Sequence, residues 1–261
     1  MLGRWGLRLL TLGVLAFLYI PIFIIVLYSF DASRIQTWPI QEWTTHWYEL
    51  AFTNPGARSA FLLSIEAGIG ATIIALVLGS LAALAVHRFH FFGRDTISFA
   101  LVLPLALPGI VTGIALSASI NGLGVPFSLY TIIAGHATFC VVIVFNNVVA
   151  RLRRSSGSLE EASKDLGADS LQTFRHVTLP VLGTALLAGA LLAFALSFDE
   201  IIVTNFTAGT QQTLPIWILS NIKQPNQRPI VNVVAVIVIV LSIIPIYLAQ
   251  RLAGSESTST R

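Results

Sequence analysis

Charged residues are scarce in this 261-residue chain, because Asp, Glu, Lys and Arg together make up only 10% of it. A soluble domain carries about a quarter charged residues, so a free globular domain is excluded. The single cysteine, Cys140, rules out an internal disulfide. The sequence has no glycine-rich phosphate loop followed by Lys-Ser or Lys-Thr, and its histidines lack the spacing of a metal site. The chain is therefore not an ATPase, and we predict no cofactor or metal bound to it.

The hydrophobic residues, 55% of the chain, lie in long uncharged runs. About 20 apolar residues cross the hydrocarbon core of a membrane as a helix. The longest run, residues 96–150, exceeds one span and divides at the turn-rich segment Asn121–Pro126. We therefore predict an all-α integral membrane protein, with a single transmembrane domain over residues 1–261. Its six transmembrane helices are expected at about residues 8–30, 58–87, 96–120, 127–150, 177–203 and 229–251.

The distribution of Lys and Arg indicates the orientation of the chain. The first apolar run is too long for a signal peptide, and no small-x-small cleavage site follows it, so we interpret it as an anchor. With a cytoplasmic N-terminus, eleven basic residues face the cytoplasm and four face outward. Because this is the positive-inside pattern, both termini are expected in the cytoplasm, and the net charge of +3 is no nucleic-acid signal. The inner residues are Arg4, Arg8, Arg88, Arg94, Arg151, Arg153, Arg154, Lys164, Arg175, Arg251 and Arg261; the outer ones are Arg34, Arg58, Lys223 and Arg228.

The outer segment 31–57 is rich in aromatic residues, and we expect it to include a helix that lies in the membrane interface. An aromatic belt at the interface explains these side chains better than a role in substrate binding. They are Trp38, Trp43, Trp47, Tyr48 and Phe52.

The largest cytoplasmic loop, residues 151–176, has a helical pattern of its own. Ser158 and Glu161 fit a capping box, so a short helix is expected to begin at Leu159. We expect its charged residues to face outward and its apolar residues to face the membrane domain. The apolar residues recur at helical spacing, namely Leu159, Ala162 and Leu166.

A second short helix is predicted directly after the first. Gly167 is suited to end the first helix, because glycine tolerates the left-handed conformation at a helix C-terminus. Asp169 is suited to cap the second helix, which extends through Gln172 and Phe174. Pro180 then marks the start of the fifth span. The loop is therefore predicted to be a helix–turn–helix platform at the cytoplasmic surface.

The spacing of this platform resembles the EAA signature of binding-protein-dependent ABC permeases. Glu161-Ala162-Ser163 is followed after three residues by Gly167 and after nine more by Val177-Thr178-Leu179-Pro180. Ser163 replaces the second Ala of the signature and Val177 replaces its Ile. The resemblance implies the type I ABC importer (MetI-like) permease fold, in which a cytoplasmic coupling helix docks in a groove of the ATPase. It implies coupling residues at Glu160, Glu161, Ala162, Ser163, Asp165, Gly167, Leu171, Phe174 and Pro180.

A narrower resemblance extends over roughly residues 57–253. The segments Leu159–Ala168, Ser197–Glu200 and Leu103–Gly109 look like the second permease of spermidine/putrescine importers. This implies import of polyamines across a bacterial cytoplasmic membrane. It also implies two copies of a cytoplasmic ATPase that bind ATP and Mg, a second homologous permease and an extracytoplasmic substrate-binding protein.

Ionisable residues within spans are candidates for the substrate pathway, because they are costly in a membrane. Asp199 and Glu200 lie near the outer end of the fifth span, and Glu66 lies about three turns into the second. Carboxylates suit a cationic polyamine, and an aromatic face such as that of Trp217 adds cation–π attraction. The alternatives are that the acidic pair is solvated where the span ends, and that Glu66 is protonated or paired with a neighbouring subunit.

The third span contains prolines that should kink or unwind it. Pro104, Pro108 and Gly109 are therefore candidates for a hinge or gate, although ordinary tolerated kinks explain them as well.

Several other functions remain open at this point. Within the same class, the cargo could be ferric iron or another small solute. The different-class alternative is an ATP-independent channel or secondary transporter, but nothing in the sequence resembles the inverted repeats with paired broken helices that such carriers often show. A membrane enzyme has the least support, because no nucleophile–base pair is present at the end of a span.

Overall fold

The structure is a computed structural model that describes residues 2–155 and 157–256. Within these residues the regular structure is helical, apart from an isolated bridge between Asp31 and Trp43, so the all-α prediction is confirmed. Arg261 lies outside the described residues, as do the side chains of Arg4 and Arg251. The helices are α1 (Leu2–Tyr28), α2 (His46–Thr53), α3 (Pro55–Arg88), α4 (Arg94–Ala106), α5 (Gly109–Gly122), α6 (Leu129–Arg154), α7 (Ser158–Asp165), α8 (Ser170–Thr173), α9 (Leu179–Phe198), α10 (Ile202–Thr207), α11 (Leu214–Asn221) and α12 (Arg228–Glu256).

Four helical segments are long and apolar enough to cross a membrane, and α4 with α5 supplies a fifth if the bent pair is one span. The four segments correspond to the first, second, fourth and fifth predicted spans. The sixth predicted span falls within α12, and the count of six stays a prediction. The four segments are Trp5–Tyr28, Pro55–Arg88, Leu129–Arg154 and Ser170–Phe198.

The chain divides into two compact units. The first consists of the residues up to Ser59 together with Trp217–Ile244. The second consists of Ala60–Ile216 together with the residues from Pro245 onward. The predicted coupling loop and the predicted acidic pair both belong to the second unit.

In the first unit, the outer segment contains the helix that the sequence predicts, α2. Trp47 of this helix is buried, and its indole Nε1 donates a hydrogen bond of 2.8 Å to the backbone oxygen of Asp31. The indole therefore fastens the outer segment to the end of α1, and the aromatic-belt interpretation is wrong for this residue. Trp38, Trp43 and Phe52 are exposed, as a belt requires.

In the second unit, α3 packs closely against α6 through a stripe of small side chains. Ala71, Ala75 and Ala83 of this stripe are fully buried, and Gly79 continues the four-residue spacing between them. A Cβ added to Gly79 would lie only 2.8 Å from the backbone oxygen of Val141 in α6. Small residues at one face allow the backbones of two membrane helices to approach each other, which explains why this face carries no larger side chain.

The third predicted span is broken, as its prolines predict. α4 and α5 are bent by 104° relative to each other. The break lies at Leu107 and Pro108, where Leu107 is extended because a following proline disfavours the helical conformation. Pro104, in contrast, lies inside α4, which continues past it. Of the two prolines, Pro108 marks the break.

A second break interrupts the fifth predicted span, which was expected to continue to residue 203. α9 ends at Phe198 and α10 begins at Ile202. The two breaks lie side by side, because a Cβ added to Gly109 would meet the Ile202 side chain at 3.6 Å. The sequence analysis predicts the first of these breaks and not the second.

Candidate coupling and translocation sites

The coupling loop contains the two short helices that the sequence predicts, and α7 ends as expected. Gly167 has φ +84°, the left-handed conformation. Its N–H donates to the backbone oxygen of Lys164 at 2.8 Å, and the N–H of Ala168 donates to that of Ser163 at 3.1 Å. This pair of bonds is a Schellman motif, which satisfies carbonyl groups at the end of the helix. The predicted helix end at Gly167 is confirmed.

The start of α7 differs from the prediction. The helix begins at Ser158, and Gly157 occupies the N-cap position in a helical conformation. Ser158 therefore lies in the first turn of the helix and is not the capping residue of a box with Glu161. The first helical turn starts at Gly157, since its oxygen accepts from the N–H groups of Glu160 and Glu161.

Asp169 caps α8 as predicted. Its carboxylate accepts a 2.7 Å hydrogen bond from the backbone N–H of Gln172, and the Gln172 side chain accepts one of 3.0 Å from the Asp169 N–H. The helix then continues through the π-helical segment Phe174–Thr178 into α9. Pro180 is the second residue of α9, and because the helical segment runs without interruption from Ser170 to Phe198, it does not separate the platform from the span.

The apolar face of the platform points away from the chain, contrary to the prediction that it faces the membrane domain. Leu166 is 89% exposed, Leu171 72% and Leu159 50%. Because exposed leucines are unfavourable in water, three of them on one short loop indicate a surface suited to contact with another protein. Glu161, Ala162, Asp165 and Gly167 are also exposed, whereas Ser163 and Phe174 are half-buried.

Glu160 is the coupling-loop residue that the structure ties most firmly to the rest of the chain. Its Oε1 accepts hydrogen bonds from Arg88, at the end of α3, and from the Thr178 hydroxyl at 2.7 Å. Arg88 also donates to Thr178 at 3.0 Å. Although partial desolvation raises the pKa of Glu160, the bonds from Thr178 and Arg88 and the charges of Arg88 and Lys164 outweigh it, so this pKa lies below its usual value.

The acidic pair lies in the break between α9 and α10. Asp199 is exposed at the end of α9, whereas Glu200 is half-buried. The Glu200 Oε1 accepts a 2.9 Å hydrogen bond from the backbone N–H of Val203, so this carboxylate supports the first turn of α10. The two carboxylates therefore have different environments, and of the two residues only Asp199 is exposed.

The other two predicted pathway residues lie elsewhere. Glu66 is exposed on α3, eleven residues after Pro55, which agrees with the three turns predicted. Trp217 belongs to the first unit and is buried in α11. A Cβ added to Gly56 would lie 2.9 Å from its indole Nε1, so the Trp217 ring fills the space beside the start of α3.

His136 of α6 is a buried residue that was not among the predicted site residues. Its ring nitrogens lie 2.7 Å from the Ser197 hydroxyl and 2.7 Å from the Thr204 hydroxyl. Ser197 precedes the break between α9 and α10, and Thr204 follows it. An unpaired polar side chain in the middle of an apolar helix is a sign of such a network, and that sign was available in the sequence.

The contacts of His136 show where along α6 the break between α9 and α10 lies. His136 lies seven residues after Leu129, the first residue of α6, so it is about 10 Å from that end of the helix. Ser197 and Thr204, which flank the acidic pair, therefore contact α6 about two turns from its first residue, and the depth of the pair in the membrane stays a prediction. Among the described residues there is no group of three His, Cys, Asp or Glu residues that could hold a metal ion.

Comparison with known proteins identifies the family. The family of binding-protein-dependent transport system inner membrane components matches residues 75–255. The spermidine/putrescine transport system permease protein PotC of Escherichia coli (strain K12) is 34% identical over 247 residues, 94% of this chain and 92% of that protein. The putrescine transport system permease protein PotI of the same strain is 34% identical over 244 residues, 90% of this chain and 85% of that protein.

A solved structure supports the fold independently. It is described as the crystal structure of a bacterial ABC transporter involved in the import of the acidic polysaccharide alginate. The similarity has a TM-score of 0.74 and covers 97% of this chain and 95% of that chain, at 18% sequence identity. The chain therefore belongs to the family of binding-protein-dependent transport system inner membrane components, as a transport permease subunit of ABC importer fold and not as an enzyme.

Proposed function

We propose that this chain is the permease subunit of an ATP-driven importer that moves polyamines such as spermidine and putrescine into the cytoplasm. Relatives whose names specify these cargoes are 34% identical to almost the whole chain. The observation that carries the proposal is the position of Asp199 and Glu200 at the point where two broken helices meet. Carboxylates there can replace the hydration that a polyamine cation loses on entering the membrane.

The two breaks supply the means of gating. The break at Pro108 and the break at Asp199–Ile201 lie against each other through Gly109 and Ile202. Irregular backbone is tolerated at membrane depth only where protein buries it or a water-filled cavity adjoins it. We assign Pro108 and Gly109 to the gate, and Asp199 to direct contact with the cargo. Glu66, exposed on α3, contributes a further negative charge to the pathway or pairs with the second permease.

The exposed leucines of α7 and α8 form the ATPase-docking surface in this proposal. Leu159, Leu166 and Leu171 insert into a groove of a cytoplasmic ATPase, and the exposed Glu161 lies at their edge. Two copies of that ATPase bind ATP and Mg, and this chain holds no cofactor of its own. A second homologous permease completes the membrane part, and an extracytoplasmic binding protein delivers the cargo.

The topology that goes with this function has six spans in a bacterial cytoplasmic membrane, with both termini in the cytoplasm. α4 and α5 together form one broken span, and α12 forms the sixth. The excess of Lys and Arg on the inner side supports this orientation, because positively charged loops are retained in the cytoplasm.

Uptake of labelled spermidine and putrescine by cells with and without the gene tests the function. We expect ATP-dependent uptake that is lost on deletion and restored by the parent chain. The Asp199→Asn, Glu200→Gln double variant should restore it with at least about tenfold weaker uptake, since each lost charged contact is worth about 1.5–3 kcal/mol. Normal uptake of both labels without the gene would overturn the cargo assignment. Full uptake by the double variant would show that Asp199 and Glu200 do not bind the cargo and are solvated residues at the end of the span.

A further inference from the structure

His136 is a fully buried ionisable side chain of the second unit, and the proposed function leaves it without a role. It lies in α6 with no exposed surface. One of its two partners, Thr204, also bonds the backbone oxygen of Glu200, a residue of the break whose flanks the imidazole contacts. A buried imidazole costs free energy unless both of its nitrogens are hydrogen-bonded, and here both are.

The hydrogen-bond network assigns the proton on the ring. The Thr204 hydroxyl donates its hydrogen to the backbone oxygen of Glu200 at 2.7 Å. It can therefore only accept at the His136 Nε2, which must carry the hydrogen. The Nδ1 atom is then an acceptor for the Ser197 hydroxyl. The ring is a neutral imidazole whose donor and acceptor are both used, so this network leaves no polar atom of the ring unsatisfied.

The contacts of this ring span the break. Ser197 lies on α9 directly before it, Thr204 lies on α10 directly after it, and the Glu200 oxygen belongs to the break itself. The chain of bonds from Ser197 through the imidazole to Thr204 and Glu200 thus joins one side of the break to the other. A helix break leaves backbone groups without partners, and such groups need side-chain bonds to hold one conformation.

We propose that His136 is a positioning residue that holds the break between α9 and α10 in one conformation and thereby directs the carboxylates of Asp199 and Glu200. The effect on cargo rests on the proposed function, whereas the effect on the position of residue 199 does not. The imidazole acts through the backbone and makes no contact with the cargo.

The experiment uses the complete importer in right-side-out membrane vesicles, with variants matched in shape. Thr204→Val removes the hydroxyl that His136 and Glu200 share, and Thr204→Ser retains it. His136→Gln retains a donor and an acceptor on one amide, and His136→Leu removes both. Thr207→Val is the control, because this buried α10 hydroxyl bonds only within its own helix, to the Val203 oxygen at 3.0 Å. The amount of each variant in the membrane is measured alongside.

Two readouts are taken for each variant. The first is uptake of labelled spermidine. The second is the rate at which a cationic, membrane-impermeant methanethiosulfonate modifies an Asp199→Cys side chain; the parent chain has only one other cysteine, Cys140, which is buried. We expect Thr204→Val and His136→Leu to change both the spermidine uptake and the labelling rate by about tenfold, the effect of one lost buried hydrogen bond. Thr204→Ser, His136→Gln and Thr207→Val should stay within about twofold of the parent.

The labelling rate decides the proposal. If Thr204→Val labels at the same rate as Thr207→Val, the break does not depend on the imidazole and the proposal is overturned. If the labelling rate changes while Asp199→Asn and Glu200→Gln leave uptake intact, His136 positions the break and the assignment of the cargo site fails instead. Should His136→Leu fail to accumulate in the membrane, the Thr204 pair alone gives the answer.

Discussion

At the scale of single residues, Arg88, Glu160 and Thr178 form a junction between three segments of the second unit. Arg88 ends α3, Glu160 lies on α7, and Thr178 lies where the π-helical segment meets α9. A force applied to α7 by a bound ATPase would reach α3 and α9 through these side chains. In the proposed importer, the junction would connect α7 to the spans, whereas the exposed leucines would contact the ATPase.

We predict that Glu160→Gln and Arg88→Gln each reduce the amount of cargo moved per ATP hydrolysed by up to about fivefold, since a partly exposed ion pair is worth about 1 kcal/mol or less. Because the two residues act on each other, the double variant should be no worse than either single variant. The measurement is the ratio of uptake to ATP hydrolysis in vesicles that contain the whole importer. Asp95→Asn, at an exposed carboxylate on α4, is the control.

The pH dependence of this ratio follows from the lowered pKa of Glu160. A carboxyl whose pKa is lower in the folded protein contributes stability above its unfolded pKa and loses it as pH falls through the folded value. The junction is therefore intact throughout pH 5–8, and the ratio should not titrate there because of Glu160. A fall in the ratio between pH 8 and 6 that disappears in Glu160→Gln, or additive losses in the double variant, would contradict the junction.

The residues that sequence reasoning located are those whose environment is local. Gly167 and Asp169 were predicted because a helix end and a helix cap involve only the next few residues. His136 was missed because its partners, Ser197 and Thr204, are 61 and 68 residues away in the chain. Leu166 was predicted to face the membrane domain but is exposed, because helical spacing reveals an apolar face and does not say which surface covers it.

At the scale of helices, the stripe of small residues on α3 sets how closely this helix approaches α6. The limiting position is Gly79, where an added Cβ would lie 2.8 Å from the Val141 oxygen and 3.1 Å from the Phe145 nitrogen. Both neighbours are backbone atoms of α6, which cannot move aside as a flexible side chain does. A single methyl group at this position therefore requires the two helices to separate.

We predict that Gly79→Ala destabilises the protein by about 1–3 kcal/mol, the usual cost of overpacking. Gly183→Ala in α9 is the matched control, because nothing lies within 4 Å of its added Cβ. The control should be neutral or stabilising by up to about 1 kcal/mol, since alanine favours a helix more than glycine does. Thermal unfolding of the purified importer in detergent measures both. Equal stability of the two variants would show that α3 and α6 are not in the close contact described.

The breaks within the spans show which helix interruptions a sequence reveals. The break at Pro108 was predicted, because proline removes a hydrogen bond and forces Leu107 out of the helical conformation. The break at Asp199–Ile201 was not, because it contains neither proline nor glycine and depends on tertiary hydrogen bonds from His136 and Glu200. Pro180, predicted to mark the start of the fifth span, is the second residue of α9, and the helical segment is continuous through it from Ser170.

At the scale of the whole molecule, much apolar surface has no partner within the chain. The span Trp5–Tyr28 of α1 has none of its residues buried, and the exposed leucines of the predicted coupling loop add a second such surface. Lipid covers the first kind of surface, and only another protein suits the second. The apolar surface of this chain does not determine how many times it crosses the membrane or in which direction. Only the distribution of charge indicates this topology, so a direct test of it is needed.

The bent pair α4 and α5 makes that test decisive, because a bend of 104° fits either one broken span or a re-entrant loop. With six spans, the loop after α5 is extracytoplasmic and the coupling loop is cytoplasmic. With a re-entrant loop, both would change sides. We predict that a membrane-impermeant maleimide labels Leu123→Cys in intact cells, because this side chain is 79% exposed. Leu166→Cys should be labelled only after permeabilisation, in cells that lack the partner ATPase.

Two controls accompany this labelling. Phe92→Cys, in the exposed loop between α3 and α4, is cytoplasmic in both arrangements and should require permeabilisation. The parent chain should stay unlabelled, because its only cysteine, Cys140, is buried. If Leu166→Cys reacts in intact cells while Leu123→Cys does not, the coupling loop is on the outside, and neither six spans nor docking to a cytoplasmic ATPase can hold. The predicted pattern would instead place α4 and α5 in one span, with their break facing the acidic pair from within the membrane.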